Sequence, residues 1–401
     1  MNVMRPVTIW MNMPSFYQND LFAELAKKVD LRVVYDHGLT DDRLLLGWRE
    51  PTAEYCSSTL DRDRKLRHAI AIAQSEKNRV HVINGMWAEP AFMMATLVLG
   101  STGTPFAIYA ECPDHTISRS GLRRGARAVV GHWVSRQASG LFAVSHFARD
   151  YFGKFGVQEQ HIYPFGYFRN AVAPRMAPDS DNVSIVYIGQ LVRRKGIDIL
   201  LNAMAPLWPR FPGMRLRLVG VGPELASIVA KVQRDRLEGR VVLEGARSSS
   251  HIHELLARAS LLILPSRWDG WGLVISEALS AGVPVIASDR CGAADLIVHG
   301  VNGYIFRSED VESLRSVLSA FLSSDEGQMR AAAMRTGSAL TIPLAAAYFV
   351  ECLEHMCGCR ADKPTPPWEE VLRRVGAESQ NRGSNDSETL PDMKTTAWKS
   401  A

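Results

Sequence analysis

The chain has 401 residues, 46% of them hydrophobic and 22% charged, with 46 Lys and Arg against 42 Asp and Glu and a net charge of +4. That length exceeds what one core organises and suggests two domains plus an appendage. So mild a charge balance requires no nucleic-acid partner, and the first apolar run, VTIWMNM, is short and reads as a strand rather than a secretory signal.

In chain order, the first half alternates strand-like and helix-like segments: VTIWMNM, DLFAELAKKV, LRVVYDH, VHVING, EPAFMMATLVLG, PFAIYAE, a basic helix, GLFAVS and HFARDYFGKFG. That order predicts a parallel sheet with crossover helices. The run 91–100 is too short for a bilayer, which needs about 20 apolar residues, so any membrane association would be peripheral. The basic helix carries Arg119, Arg123, Arg124, Arg127 and Arg136 among Leu122, Val129, Val130, Trp133 and Val134. It suits either an anionic lipid surface or an ordinary surface helix with its apolar stripe in the core.

After IYPFGYF, the segment RNAVAPRMAPDSDN loses apolar periodicity, and a domain boundary is expected there. The division is residues 1–170, a linker at 171–182, a second domain at 183–336, C-terminal helices at 337–375, and a polar, disordered tail at 376–401. The second half repeats the alternation, with Ile197, Leu200, Leu201 and Met204 on one helix face and Val311, Leu314, Leu318 and Phe321 on a later one. Six cysteines at 56, 112, 291, 352, 357 and 359 lack zinc-site or disulfide-framework spacing, so a reducing cytosol is the simplest setting. Cys352, His355, Cys357 and Cys359 lie close together, but no second ligand cluster accompanies them.

The most informative stretch is PSRWDGWGLVISEALSAGVPVIAS, residues 265–288. LLILPS before it reads as a buried parallel strand, and Leu273 opens a helix, so Trp268 to Gly272 form the strand-to-helix turn. Amides of Gly272, Leu273 and Val274 then make an anion site, and Gly270 and Gly272 admit a ligand close to the backbone. Glu277 can accept hydrogen bonds from a ribose diol, and Asp269 lies closer to a sugar. Trp268 and Trp271 are expected to shape the turn and its sugar pocket. Gly220, Gly222 and Pro223 hint at a dinucleotide fingerprint, but Leu225 replaces its third glycine.

This segment resembles the signature of the retaining GT-B glycosyltransferases of family 4, in which two Glu, separated by seven residues, flank a Gly-Phe-Gly or Gly-Trp-Gly turn. Here Asp269 replaces the first Glu. VSIVYIGQLVRRKGIDILLNAM, residues 183–204, is similar to the family's strand, glycine turn and Lys-Gly helix start. Gln190 stands where the family usually has Arg, so a diphosphate would lean on Lys195 and on Arg193 or Arg194. LRLVGVGPE, VVLEGARSSSHIHELLARAS and NGYIF follow at family-like intervals, extending the resemblance to roughly residue 322.

The resemblance implies two doubly wound Rossmann-like domains facing a central cleft, with the nucleotide-sugar donor on the second and the acceptor on the first. It also implies that the helix at 343–356 crosses back onto the first domain. Lys195, Arg193 or Arg194 and the helix amides would stabilise the leaving diphosphate, Asp269 would hold sugar hydroxyls, and Gln190, Gly270, Trp271, Gly272, Leu273, Val274 and Glu277 would complete the donor site. Glu111, at the end of PFAIYAE, would orient an acceptor hydroxyl or simply pair with a neighbouring Arg. No metal or cofactor is called for.

The implied reaction moves a sugar from a UDP- or GDP-type donor to a glycan or lipid-linked acceptor, in bacterial surface polysaccharide or lipopolysaccharide assembly, in the cytoplasm or on the inner membrane face. Alternatives are a catalytically silent nucleotide-sugar-binding subunit and a soluble enzyme acting on a small molecule.

Overall fold

The computed structural model describes residues 5–45, 49–113, 121–169 and 183–380. The chain divides into two compact units, Met1–Phe168 with Ile342–Pro366 and Arg169–Thr341 with Pro367–Ala401. Each is built on its own parallel sheet, as alternating strand and helix signals predict.

In the first unit the strands are β1 (Val7–Met11), β2 (Leu31–Tyr35), β3 (Cys56–Thr59), β4 (Val80–Asn84), β5 (Phe106–Glu111), β6 (Gly140–Val144) and β7 (Ile162–Phe165). Their order is β3-β2-β1-β4-β5-β6-β7, with every pairing parallel. Between them run α1 (Phe16–Ala26), α2 (Asp41–Leu45), α3 (Lys65–Ser75), α4 (Pro90–Thr102), α5 (Gly121–Gln137) and α6 (Ser145–Gly153). β1 and β6 are buried at every position, as strands covered by helices on both faces must be. Helix α4 shows how local sequence sets an element: Pro90 stands in its first turn and Gly103, at φ 68°, caps its end.

The second unit holds β8 (Ser184–Ile188), α7 (Ile197–Met204), β9 (Arg215–Val219), α8 (Leu225–Arg234), β10 (Val241–Gly245), α9 (Ser249–Arg258), β11 (Leu261–Leu264), α10 (Leu273–Ser280), β12 (Val285–Ser288), β13 (Gly303–Phe306), α11 (Val311–Leu322) and α12 (Glu326–Ser338). The strand order is β10-β9-β8-β11-β12-β13, again parallel throughout.

The elements between β2 and β4 and the last two helices differ from the sequence reading. Strand β3 and helix α3 were not foreseen, because the edge strand CSST is polar and largely exposed and gives no apolar run. The C-terminal helices expected at 337–375 do not act together. Helix α13 (Ile342–Met356) belongs to the first unit, packing on α1 and stacking Phe349 on Phe142 of β6 at 4.3 Å, whereas α14 (Pro367–Gln380) packs on α12 in the second. Residues 376–380, assigned to the tail, form the end of α14. The linker at 171–182 and the tail from 381 lie outside the described residues.

Candidate active site

Strand order in the second unit reverses between β8 and β11: chain connections run one way from β8 through β9 to β10 and the other way from β11 through β12 to β13. Ligands of open parallel sheets gather outside the strand carboxyl ends at such a place. The two turns that meet there, β8 to α7 and β11 to α10, carry most of the residues singled out in the sequence.

In the first turn, Arg193–Lys195 make one turn of 3-10 helix, and Gly196, at φ 70°, starts α7. A Cβ on Gly196 would collide with the carbonyl oxygen of Pro265, so the lysine-bearing turn can lie against the β11 turn only with glycine there. Lys195 is 9% exposed, and its Nζ forms an ion pair with Asp269 Oδ2. Arg193 and Arg194 are exposed. The Arg194 guanidinium donates to the Trp268 carbonyl at 3.2 Å, and the carbonyl of Gln190 accepts from the Tyr187 hydroxyl at 2.8 Å.

In the second turn, Asp269 is held from the β12 side: its N–H donates to Arg290 O at 2.9 Å and its carbonyl accepts from Gly292 N at 3.0 Å. Gly270 follows, and Trp271 is buried, its Nε1 donating to Ser276 Oγ at 3.3 Å, while Trp268 is buried as well. Both indoles therefore serve the packing of the turn. Gly272 starts α10 at φ 90°, with Leu273 and Val274 in the first turn, where N–H groups have no intrahelical acceptor. Glu277, one turn on, pairs with Arg169 at 3.6 Å, and both side chains are nearly covered. Burial pushes its carboxyl up from the usual range, and Arg169 opposes that shift. Arg169 also donates to Ser249 Oγ at 3.0 Å.

The structure thus brings Lys195 and Asp269 into contact and sets Gly272, Leu273 and Val274 at the helix start beside them. A cation and first-turn amides can hold an anionic group, while the neighbouring carboxylate can accept hydroxyl hydrogen bonds. Sequence reasoning missed Arg169, which faces Glu277 across 108 positions, and Arg267, whose guanidinium makes a two-point bond to Asp198 at 2.9 and 2.7 Å. Neither left a signal, since only the fold makes such distant residues neighbours. Gly220 and Gly222 have a different use from a dinucleotide fingerprint. A Cβ on Gly220 would strike Gly189 O, and one on Gly222 would strike Leu191 O, so these glycines let the turn after β9 lie against the turn after β8.

Glu111 belongs to the first unit, at the exposed end of β5, where it accepts from the Tyr167 hydroxyl at 2.6 Å. Tyr167 in turn lies near Tyr17 and Tyr109, at ring separations of 5.2 and 6.1 Å. On the basic helix α5, Arg127 sits over the Trp87 ring at 5.3 Å, Arg136 is exposed and Val129 is 72% exposed. Arg119 and the side chains of Arg123 and Arg124 lie outside the described residues.

All six cysteines are free thiols, and His355 spends its Nδ1 on the Tyr163 hydroxyl at 2.6 Å. Among the described residues, one trio, Asp36, His37 and Glu89, is close enough to share a metal ion, and Lys65 already pairs with Asp36. Among the described residues no single helix is long and apolar enough to cross a membrane.

A crystal structure from Anabaena, of Alr3699/HepE in complex with UDP, superposes with a TM-score of 0.70 over 87% of this chain and 100% of that one, at 19% identity. That likeness establishes the fold as the two-domain, Rossmann-like GT-B architecture. The "Exopolysaccharide phosphotransferase SCO2592" of Streptomyces coelicolor is 39% identical over 165 residues, which cover 40% of this chain and 17% of that protein. A "GDP-mannose-dependent alpha-(1-6)-phosphatidylinositol monomannoside mannosyltransferase" of Mycolicibacterium smegmatis is 28% identical over 239 residues, 54% of this chain and 59% of that one. The chain therefore spans less than two thirds of the length of either curated relative. Residues 171–336, which carry both turns of the site, match the family model described as "Glycosyl transferases group 1".

Proposed function

We propose that the protein transfers a sugar, with retention of anomeric configuration, from a nucleoside-diphosphate sugar to a hydroxyl of a glycan or lipid-linked acceptor. The observation that carries this reading is the contact of Lys195 with Asp269 at the strand-order reversal, beside the first turn of α10. Lys195, Arg193 or Arg194, and the amides of Leu273 and Val274 hold the diphosphate. Gln190, Gly270, Gly272 and the main chain of Trp271, whose indole packs the turn, form the wall around it, and Glu277 accepts the ribose diol.

Breaking the sugar–phosphate bond leaves negative charge on the diphosphate and positive charge at the anomeric carbon. The cation and amides stabilise the first, and Asp269 stabilises the second while holding sugar hydroxyls. Asp269 pairs with Lys195. An arriving diphosphate supplies the lysine with a second anion, leaving the carboxylate free for the sugar. Counter-charge comes from side chains, so the proposed chemistry is metal-independent. The leaving phosphate takes the acceptor's proton, and Glu111 orients the acceptor hydroxyl.

UDP or GDP is the proposed nucleotide, supported by the UDP of the Anabaena structure and the GDP-mannose in the name of the Mycolicibacterium relative. The proposed setting is bacterial surface polysaccharide or lipopolysaccharide assembly on the cytoplasmic side of the membrane, with α5 touching anionic lipid. Thermal melts against UDP-glucose, UDP-galactose, GDP-mannose and ADP-glucose test the donor reading. A ligand at a hundred times its dissociation constant adds about 2.7 kcal/mol. A melt unmoved by every one of these donors overturns the assignment.

A further inference from the structure

The two turns of the site are tied together by Arg267, a residue of the β11 turn whose guanidinium pairs with Asp198 and Glu309. Its Nη1 donates to the carbonyl of Arg193 at 2.7 Å, inside the 3-10 turn that leads to Lys195. Nη1 and Nη2 together grip both oxygens of Asp198, in the first turn of α7, at 2.9 and 2.7 Å. Its Nε donates to Glu309 Oε1 at 2.9 Å, and its main-chain N–H donates to Arg194 O at 2.7 Å. The link is returned from the other side by Arg194, which donates to Trp268 O at 3.2 Å. One side chain, 19% exposed, thus spans the turn after β8, the start of α7 and the turn after β13.

Nothing in this clip reaches the ion pair of Lys195 and Asp269 directly. Its effect is on where the lysine stands: residues 193–195 form a single short turn, and of the fixings that hold it against the β11 turn, three pass through Arg267 or its neighbour Trp268. We propose that Arg267 is a positioning residue that sets Lys195 for the donor diphosphate, acting through the carbonyls of Arg193 and Arg194 and the carboxylate of Asp198. The planar guanidinium suits this task because it satisfies a carboxylate and a carbonyl at once in fixed directions, which an ammonium cannot do. The inference rests on the donor reading above and is tested so that the two fail separately.

Calorimetric titration with UDP and with uridine, or with GDP and guanosine where the guanine pair is the one that binds, isolates what the diphosphate contributes. Arg267→Ala is expected to weaken UDP by about tenfold, the scale of one charge-assisted contact, with uridine binding unchanged. Transfer from the sugar donor should fall further, toward about a hundredfold in kcat, because a small misplacement matters most in the transition state. Arg267→Lys should recover part of the loss, and Asp198→Asn, which leaves the arginine in place, should reproduce a smaller fraction of it.

If Arg267→Ala binds UDP as the wild type does, or loses UDP and uridine equally, the clip serves only the fold and the proposal is overturned. If Lys195→Ala also leaves the difference between UDP and uridine untouched, or if neither nucleotide pair binds the wild type, the donor reading itself falls and the inference falls with it.

Discussion

Both units reverse their strand order once, between β1 and β4 in the first and between β8 and β11 in the second, yet the turns at the two reversals have different chemistry. The second unit places a covered lysine, a carboxylate and two left-handed glycines, Gly196 and Gly272, within its turns. In the first, residues 12–15 and 85–89 contain neither lysine nor arginine. Its polar groups bond locally instead, with Ser15 Oγ donating to Gln18 Oε1 at 2.8 Å and Tyr167 donating to Glu111 nearby. The same topology therefore offers a place for a ligand twice, and the turn residues differ in what they would take: under the proposed function, an anion in the second unit and acceptor hydroxyls in the first.

The sharpest way to break this contrast is Asp269→Ala. Transfer is expected to fall about a hundredfold, equivalent to about 3 kcal/mol, while UDP or GDP still binds through Lys195. Product release from the nucleotide sugar measures it, and full activity in the variant would leave a sugar-nucleotide-binding subunit as the better description.

Gly196→Ala should be next in effect. It forces a Cβ against Pro265 O in a left-handed backbone, at an expected cost of about 2 kcal/mol in chemical denaturation, with nucleotide binding lost in parallel. The same substitution at Gly103 of α4, also at positive φ but with open space around its Cβ, should carry the conformational strain alone. Equal losses at both glycines would mean that the close approach of the two turns is unimportant.

Glu277→Gln sharpens the comparison through pH. In the proposed role Glu277 accepts from both hydroxyls of a ribose diol, which it does best when ionised because both oxygens are then acceptors; burial holds its titration above the usual carboxylate range against the pull of Arg169, with His253 nearby also facing that arginine. Nucleotide affinity should therefore strengthen as pH rises through that raised value and weaken below it. The glutamine variant should bind about tenfold more weakly and lose this limb, as read by titration from pH 5 to 8. An unchanged pH profile would remove Glu277 from the site.

Glu111→Gln is the smallest expected change. It should leave nucleotide binding alone and raise the acceptor KM by about threefold, since the amide keeps a hydrogen bond with Tyr167. A loss of nucleotide binding in this variant would contradict the division of labour between the units.

Much of the second unit was legible because its local signals agree: LLIL and VIAS are dense apolar strands, and two glycines in the left-handed region mark where helices begin. Lys195 and Asp269 were each recognisable within their own segments. Their pairing was not, since 74 positions separate them and only the parallel arrangement of β8 and β11 brings them together. The same is true of Arg267 with Asp198. Polar, largely exposed elements such as β3 escaped because an exposed edge strand needs no apolar pattern. The course of the last two helices was legible only in part: both are amphipathic, but amphipathicity does not name the unit whose surface each one covers.

The stacking of Phe349 on Phe142 has a consequence for how the protein is made. Helix α13 belongs to the core of the first unit although the whole chain from Arg169 to Thr341 is translated before it. At about 5–20 residues per second, the ribosome takes roughly 10–35 s to deliver it, so the N-terminal sheet is fully translated long before the helix that covers it, whereas α14, the last helix of the second unit, follows its neighbour α12 after only a short stretch of chain. Chaperone dependence should accordingly concentrate on the half synthesised earliest, and a nascent chain arrested before residue 342 should expose the face of β6 and β7 that the helix later covers.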